Sequence, residues 1–423
     1  MPLFSTDPFL SAETRGPLPP GRAVRRLERR LYAYAALKDL VLLYPVYALL
    51  FAGHGLSTGQ ISSLFVIWSV TGVVAEVPSG VWADTVSRRS ALVAGALLTG
   101  AGFGLWVAVP SYAAFAAGFV LWGLGGALGS GALEALVYEE LEHLGATDRY
   151  AGLTGRAAAV ATVATAVATA AAAPVFAAGG FTALGAASTA ACVLCAGAAA
   201  ALPERRGGPA RATDDGEDDG EDAGGGAGVG YGATLRAGLG EVRRIPAVRY
   251  AVLAVIVLTT VWGSLDEYVP LLAAATGTAV GDVPLLVLVV YAGVAVGGVL
   301  AGRARRCGAG ATAGLLAGAA LLMAAGALSG SALGFVLLAP AFLVFQLTDV
   351  VADTRLQESL TGRARATVTS LAGLGTELTT LLVYGLYGAA SGHAGHGTLF
   401  ALFAVPYAVF AAALAVRARR GGP

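Results

Sequence analysis

Apolar blocks of about 20 residues recur along the chain, separated by short polar connections. A helix needs about 20 apolar residues to cross the roughly 30 Å hydrocarbon core of a bilayer. A β-barrel would instead show alternating segments of about ten residues. The pattern predicts an all-α polytopic membrane protein. Spans fall near 31–52, 59–82, 91–109, 112–137, 154–178, 182–202, 247–273, 283–302, 309–328, 332–352, 367–390 and 398–416. The first block contains Lys38 and Asp39 and is longer than a signal-peptide core, so it reads as a retained span.

Between the sixth and seventh spans the pattern changes. Residues 203–246 carry the acidic run DDGEDDGED (Asp214–Asp222), then a glycine-rich stretch. Such a segment has little apolar surface to bury and is expected to be a disordered linker. A short amphipathic stretch with Leu235, Leu239 and Val242 beside Arg236, Arg243 and Arg244 closes it, suited to a membrane surface. The expected organisation is a tail (1–30), a six-helix bundle (31–202), the linker (203–246), a second six-helix bundle (247–416) and a short tail (417–423).

Charge placement supports this count. Basic residues concentrate on the cytoplasmic side of membrane proteins. With the N-terminus inside, Arg22–Arg30, Arg88, Arg89, Arg149, Arg303–Arg306, Arg355–Arg365 and Arg417–Arg420 all fall on that side, and the opposite connections hold no arginine. Both termini are therefore expected in the cytoplasm.

Composition then narrows the class. The chain is 56% hydrophobic and 13% charged, against about 25% charged residues in a soluble domain. Net charge is zero, which gives no bulk signal for nucleic acid. Lys38 is the sole lysine, and the alanine, glycine and arginine bias suits a high-G+C bacterial genome. Cys192 and Cys195 lie in an alanine-rich span with no histidine nearby and read as small buried hydrophobes. No H-E-x-x-H, P-loop or histidine–cysteine cluster is present. No enzyme, metal or cofactor is implied.

The two halves show a faint repeat. GVWADTVSR (Gly80–Arg88) follows span two, and GVLAGRARR (Gly298–Arg306) occupies the equivalent place after span eight. Gly80, Asp84, Arg88 and Arg89 resemble the G-x-x-x-D-x-x-x-R-[RK] signature of the major facilitator superfamily, with Thr85 and Ser87 departing from it. EVPSG (Glu76–Gly80), SGALEALVYEEL (Ser130–Leu141) and RATVTSL (Arg365–Leu371) are similar to bacterial efflux members of that superfamily. AAAAPVFAAGG (Ala170–Gly180) partly resembles its antiporter motif, through Pro174 and the glycine pair. The resemblance implies twelve helices in two pseudo-symmetric halves, alternating access, a plasma-membrane location and a monomer. It also implies that Asp84 meets the start of span eleven, near Arg363–Thr367, and that Arg88 reaches Glu139 or Glu140, latching the inner gate.

Charges inside spans are costly and read first as functional. Glu377 lies about 15 Å into its span at 1.5 Å per residue, close to midplane. A carboxyl removed from water favours its neutral form and can carry a proton. Asp39, Glu134, Glu377 and Asp349 are the proton-coupling candidates. Glu134 could instead pair with Arg156, and each acid has a structural alternative as a packing or ion-pair group. The adjacent Asp266 and Glu267 end span seven, and Glu76 would brace the inner gate. Lys38, Tyr44, Tyr47, Tyr138, Arg156, Trp262, Asp266 and Tyr384 are the substrate-cavity candidates, and Pro45 is expected to kink span one. An aromatic cavity suits a partly apolar organic molecule. The leading expectation is proton-coupled efflux of a small molecule such as a drug or secondary metabolite. The alternatives are uptake of a small metabolite by symport or facilitation, and a non-transporting receptor or assembly protein.

Overall fold

The computed structural model describes residues 20–204, 246–359 and 364–419, and among them every regular element is helical. Most of the expected linker lies outside the described residues. Pro45 has no N–H and would clash inside a helix, so the first span divides into α1 (Pro20–Asp39) and α2 (Tyr47–Gly53). A capping box opens α3 (Thr58–Thr85): the Ser57 hydroxyl accepts from Gln60 N–H, and the Gln60 side chain accepts from Ser57 N–H. Such reciprocal caps satisfy backbone donors that the first turn leaves free.

Next come α4 (Arg88–Ala108), α5 (Tyr112–Gly129) and α6 (Ala132–His143). Ser130 and Gly131 break span four between α5 and α6, with Gly131 at φ 70°. The 51-residue α7 (Tyr150–Ala200) leaves helical geometry at Gly179 and Gly180. There Gly180 takes φ 61° and ψ −152°, a conformation open to glycine and costly for other residues. The glycine pair of the sequence motif is thus the boundary between spans five and six.

The second half repeats the plan. It contains α8 (Pro246–Asp266), α9 (Val269–Ala275), α10 (Val283–Ala304), α11 (Ala309–Leu328) and α12 (Phe335–Ser359). It closes with α13 (Ala364–Ala390), α14 (His396–Phe403) and α15 (Val405–Arg419). Nine helical stretches among the described residues are long and apolar enough to cross a bilayer. One of them, Thr147–Ala200, has 54 residues, about 80 Å at 1.5 Å per residue, and serves two spans. With the broken first span and α13, the helices are consistent with twelve crossings.

Within the first half α4 packs on α5 and α7, and α1 packs on α7. Within the second, α12 packs on α10, α11 and α8. The halves meet where α3 packs on α13, α7 on α10 and α2 on α9. A shift of six spans carries the first of these pairings onto the second and the third onto itself, as a pseudo-two-fold arrangement requires.

Glycines set the closest approaches. A Cβ on Gly102 would lie 2.7 Å from Gly118 O, and one on Gly293 would collide with the Ala339 carbonyl of α12. In span four, Gly123 and Gly125 are crowded in the same way, whereas Gly126, Gly129 and Gly131 have open space. Helix association in lipid relies on such small-residue contacts.

Replacing Gly293 by Leu should therefore force α10 and α12 apart and cost about 1–3 kcal/mol, the usual penalty of overpacking. Gly298→Leu, further along the helix at a site with nothing within 4 Å, should leave stability unchanged. Thermal unfolding in detergent, followed by tryptophan fluorescence, separates the two. Equal melting temperatures would refute the close-packed α10–α12 contact.

Candidate functional site: a central cavity between the halves

A cavity of about 400 Å³ lies between the halves, walled by α3 and α5 on one side and by α8 and α13 on the other. From α3 come Trp68, Ser69, Gly72, Val73 and Glu76; from α5, Gly123, Gly126 and Ala127. The opposite wall carries Thr259, Thr260, Gly263 and Ser264, then Glu267 in the break between α8 and α9. Thr376, Glu377, Thr380 and Tyr384 of α13 complete it. Hydroxyls and carboxyls converge here between apolar side chains and glycines, and convergent polar groups in a cleft mark a small-molecule site.

Glu377 joins the two halves. Its Oε2 accepts a hydrogen bond from Ser69 Oγ at 3.1 Å, between α13 and α3. Thr259 on the wall donates to Asp349 of α12, so Asp349 stands behind the lining. Trp68 stacks on Trp122 with ring centroids 4.7 Å apart and planes 25° apart, and Trp122 stacks in turn on Tyr44 at 5.4 Å. The Ser264 hydroxyl is buried with no hydrogen-bond partner.

One end of the cavity is closed. At the arginine-free end Ser62 Oγ lies 2.8 Å from Tyr268 Oη, and the Phe65 ring packs on Tyr268 and Tyr384 at 5.3 Å each. There α13 also approaches α3 so closely that a Cβ on Gly388 would lie 2.7 Å from Ser62 Cβ. Among the described residues, the apolar cluster shared by both halves draws most of its first-half members from this end, among them Val46–Phe51, Ile61, Phe65 and Phe119. Toward the arginine-bearing end each smaller cluster belongs to a single half. Glu76 is exposed there. The cavity therefore opens toward the arginine-bearing end.

The expected residues divide. Glu377 and Tyr384 line the cavity. Lys38 and Tyr44 line a neighbouring cleft of about 90 Å³ with Cys192 and Cys195, and Asp39 is the last residue of α1. Tyr47 is buried in an aromatic cluster with Phe51, Phe65, Trp106 and Phe119. Glu134 sits exposed in the first turn of α6, where the helix dipole favours an anion. Arg156 pairs with Glu28 at 3.2 Å rather than with Glu134, and Tyr138 packs edge-on against Tyr150. Trp262 donates its backbone N–H to Tyr407 Oη at 2.7 Å. Asp266 turns away from the lining and accepts from Tyr291 Oη at 3.2 Å. Its neighbour Glu267 reaches the cavity instead.

In the loop after α3, Arg88 forms an ion pair with Glu139 of α6, the contact expected of the loop motif. The second half has a counterpart, Arg305 with Glu358. Ser87 replaces the usual glycine without strain, since its φ of 179° is extended backbone. Its hydroxyl caps α4 by accepting from Ser90 N–H at 3.0 Å and donates to Glu204 at 2.6 Å. The Glu204 carboxylate also accepts from Arg89 N–H at 3.2 Å, placing an anion at the positive end of α4. Gly80 has open space around it. The side chains of Asp84 and of residues 363–367 lie outside the described residues.

Sequence reasoning did not single out Glu204, nor the hydroxyls of Thr259, Thr260, Thr376 and Thr380. The available signal was the recurrence of Thr-Thr pairs at 259–260 and 379–380 within apolar spans.

The model of the Major Facilitator Superfamily matches residues 36–376. Among solved structures, the fold is similar to a point mutant of the nucleoside transporter NupG, with a TM-score of 0.71, 13% identity, and coverage of 92% of this chain and 98% of that one. It is also similar to the D-xylose-proton symporter, with a TM-score of 0.66, 14% identity and coverage of 94% and 97%. A third likeness is to a bacterial homolog of the human lysosomal transporter Spinster, in an inward-facing and unoccupied conformation (TM-score 0.62, 15% identity, coverage 95% and 97%). No curated protein matches by sequence.

The closed end can be probed in a variant with Cys307 replaced by Ser, which leaves the buried Cys192 and Cys195. A cysteine in place of Ser62, 2% exposed, should resist a bulky hydrophilic thiol reagent in detergent. Adding Tyr268→Ala should speed its labelling, because that ring covers it. Rapid labelling of the first variant would contradict the closure.

Proposed function

The chain belongs to the major facilitator superfamily of membrane transporters, and from that premise we propose proton-coupled export of a small, partly apolar organic molecule by alternating access. The observation that carries this reading is the Ser69–Glu377 hydrogen bond, which spans the two halves beside the cavity. This hydrogen bond is exposed, so its net worth is about 0.5–1.5 kcal/mol. Neutralising Glu377 weakens that tie, and a change of about 1 kcal/mol shifts a two-state balance by about fivefold. Proton occupancy and the relation of the halves are thereby coupled through one side chain.

The arginine-bearing end is assigned to the cytoplasm by the positive-inside rule, so this conformation loads from the cytoplasm. Asp349, held behind Thr259, is the second carboxyl placed to exchange a proton with the cavity. Asp39 and Glu134 remain coupling candidates at a greater remove. The Arg88–Glu139 pair holds the loop after α3 against α6 within the first half, and the gate role proposed for that loop falls to Asp84. The aromatic wall at Trp68 and Tyr384 suits a substrate with an apolar body.

Inside-out proteoliposomes with an acidic lumen should accumulate an aromatic dye such as rhodamine 6G. Glu377→Gln should reduce this driven uptake to the level of empty liposomes while dye–dye exchange continues at saturating dye. Driven uptake undiminished in the variant would remove Glu377 from the coupling. Accumulation only with the opposite pH gradient would replace export by uptake.

A further inference from the structure

Three carboxyl side chains, Glu76, Glu267 and Glu377, line the central cavity together, and no described lysine, arginine or histidine lines it. Among the described residues, the ion pairs are made by other acids: Glu139, Glu204, Glu28 and Glu358. Carboxylates at membrane depth are costly and are normally balanced by a partner. Here both halves contribute acid to the same space and neither contributes a cation.

An independent feature points the same way. Ser264 is 2% exposed, belongs to the cavity wall, and its hydroxyl has no hydrogen-bond partner. Buried polar groups are almost always satisfied, so this hydroxyl, able to donate and to accept, is left over for a ligand. Trp68 and Tyr384 add aromatic surface, and Trp68 is held by its stack on Trp122. The negative face of an aromatic ring attracts cations within about 6 Å. An anion would meet repulsion from three acids here.

We propose that the central cavity selects a monovalent organic cation, an amine or onium with an aromatic or apolar body. The inference rests on the transport reading above and names its substrate class. The positive centre sits by Glu267 and Glu377, the body lies against Trp68, and Ser264 accepts an N–H where the head is a protonated amine. Glu76, at the open end, draws the cation in from solution.

Tetraphenylphosphonium and tetraphenylborate test this directly, because they share a shape, carry opposite charges and do not titrate. Binding to the purified full-length protein in detergent is read by quenching of tryptophan fluorescence. Tetraphenylphosphonium should bind, and tetraphenylborate should bind roughly tenfold more weakly or not at all. Glu267→Gln and Glu377→Gln should each weaken the phosphonium by roughly tenfold or more, whereas Glu267→Asp, which keeps the charge, should recover most of the loss. Thermal unfolding checks that each variant is folded. If both Gln variants fail to fold, Glu76→Gln, at an exposed position, should still weaken the phosphonium and leave the borate unchanged or tighter. Absent phosphonium binding, borate binding of equal strength, or folded Gln variants with unaltered affinity would each overturn the proposal. Binding is measured without transport. Selective phosphonium binding with no dye transport would therefore sink the transport reading alone, and dye transport without charge selectivity would sink this inference alone.

Discussion

A backbone in hydrocarbon must satisfy its own hydrogen bonds, and the architecture of this protein follows from where it fails to do so. With no water in the bilayer core, an interrupted helix is tolerated only inside protein or against a cavity. Two interruptions fall at equivalent places in the two halves. The first span is a 20-residue helix and a 7-residue helix divided at Leu40–Val46; the seventh is 21 and 7 residues divided at Glu267–Tyr268. The freed groups find partners: Leu43 N–H donates to Ser188 Oγ at 3.1 Å, and Tyr268 N–H donates to Leu265 O at 2.9 Å. Each long piece ends on an acid, Asp39 or Asp266. The negative end of a helix disfavours an anion, so these acids are held there against the local electrostatics. Paired broken helices at corresponding positions are the strongest sequence-level pointer to a transporter's binding region.

The short pieces also make the closed end. Once separated from their long partners, α2 and α9 can lean together at the arginine-free end, where they pack on each other. Their buried faces, Tyr47–Phe51 and Val269–Ala273, belong to the one apolar cluster that both halves share. Behind that plug the helices diverge and the cavity begins. Closing one end and opening the other are thus two consequences of one geometry, as alternating access requires. The loop pairs Arg88–Glu139 and Arg305–Glu358 stiffen each half internally, which favours movement of the halves as units.

Much of the fold was legible from the residues. Apolar periodicity located the spans, Pro45 marked the first interruption, and Gly179–Gly180 marked the reversal between spans five and six. The site was less legible, because the face a residue presents depends on helix rotation, which a sequence does not state. Adjacent positions on a helix point about 100° apart. Asp266 ends α8 and Glu267 enters the break, so they take different surroundings, a Tyr291 hydrogen bond and the cavity wall. Lys38, notable as the sole lysine, lies in a side cleft. The wall threonines escaped notice because a hydroxyl in an apolar span can bond back to its own helix, as Thr376 does to Ala372 O at 3.0 Å. Glu204 lay past the last apolar residue of span six, and nothing in its local sequence tied it to Ser87.

The two ends of the interface should open and close reciprocally. Spin labels at the exposed Gly55 and Gly392 would report the arginine-free end, and labels at the exposed Asp148 and Arg306 the arginine-bearing end. Distance distributions by pulsed electron–electron double resonance, taken in membranes at low and high pH, test it most directly. Opposite changes are expected, with one pair separating as the other approaches. Two pairs that stay fixed, or that widen together, would contradict it.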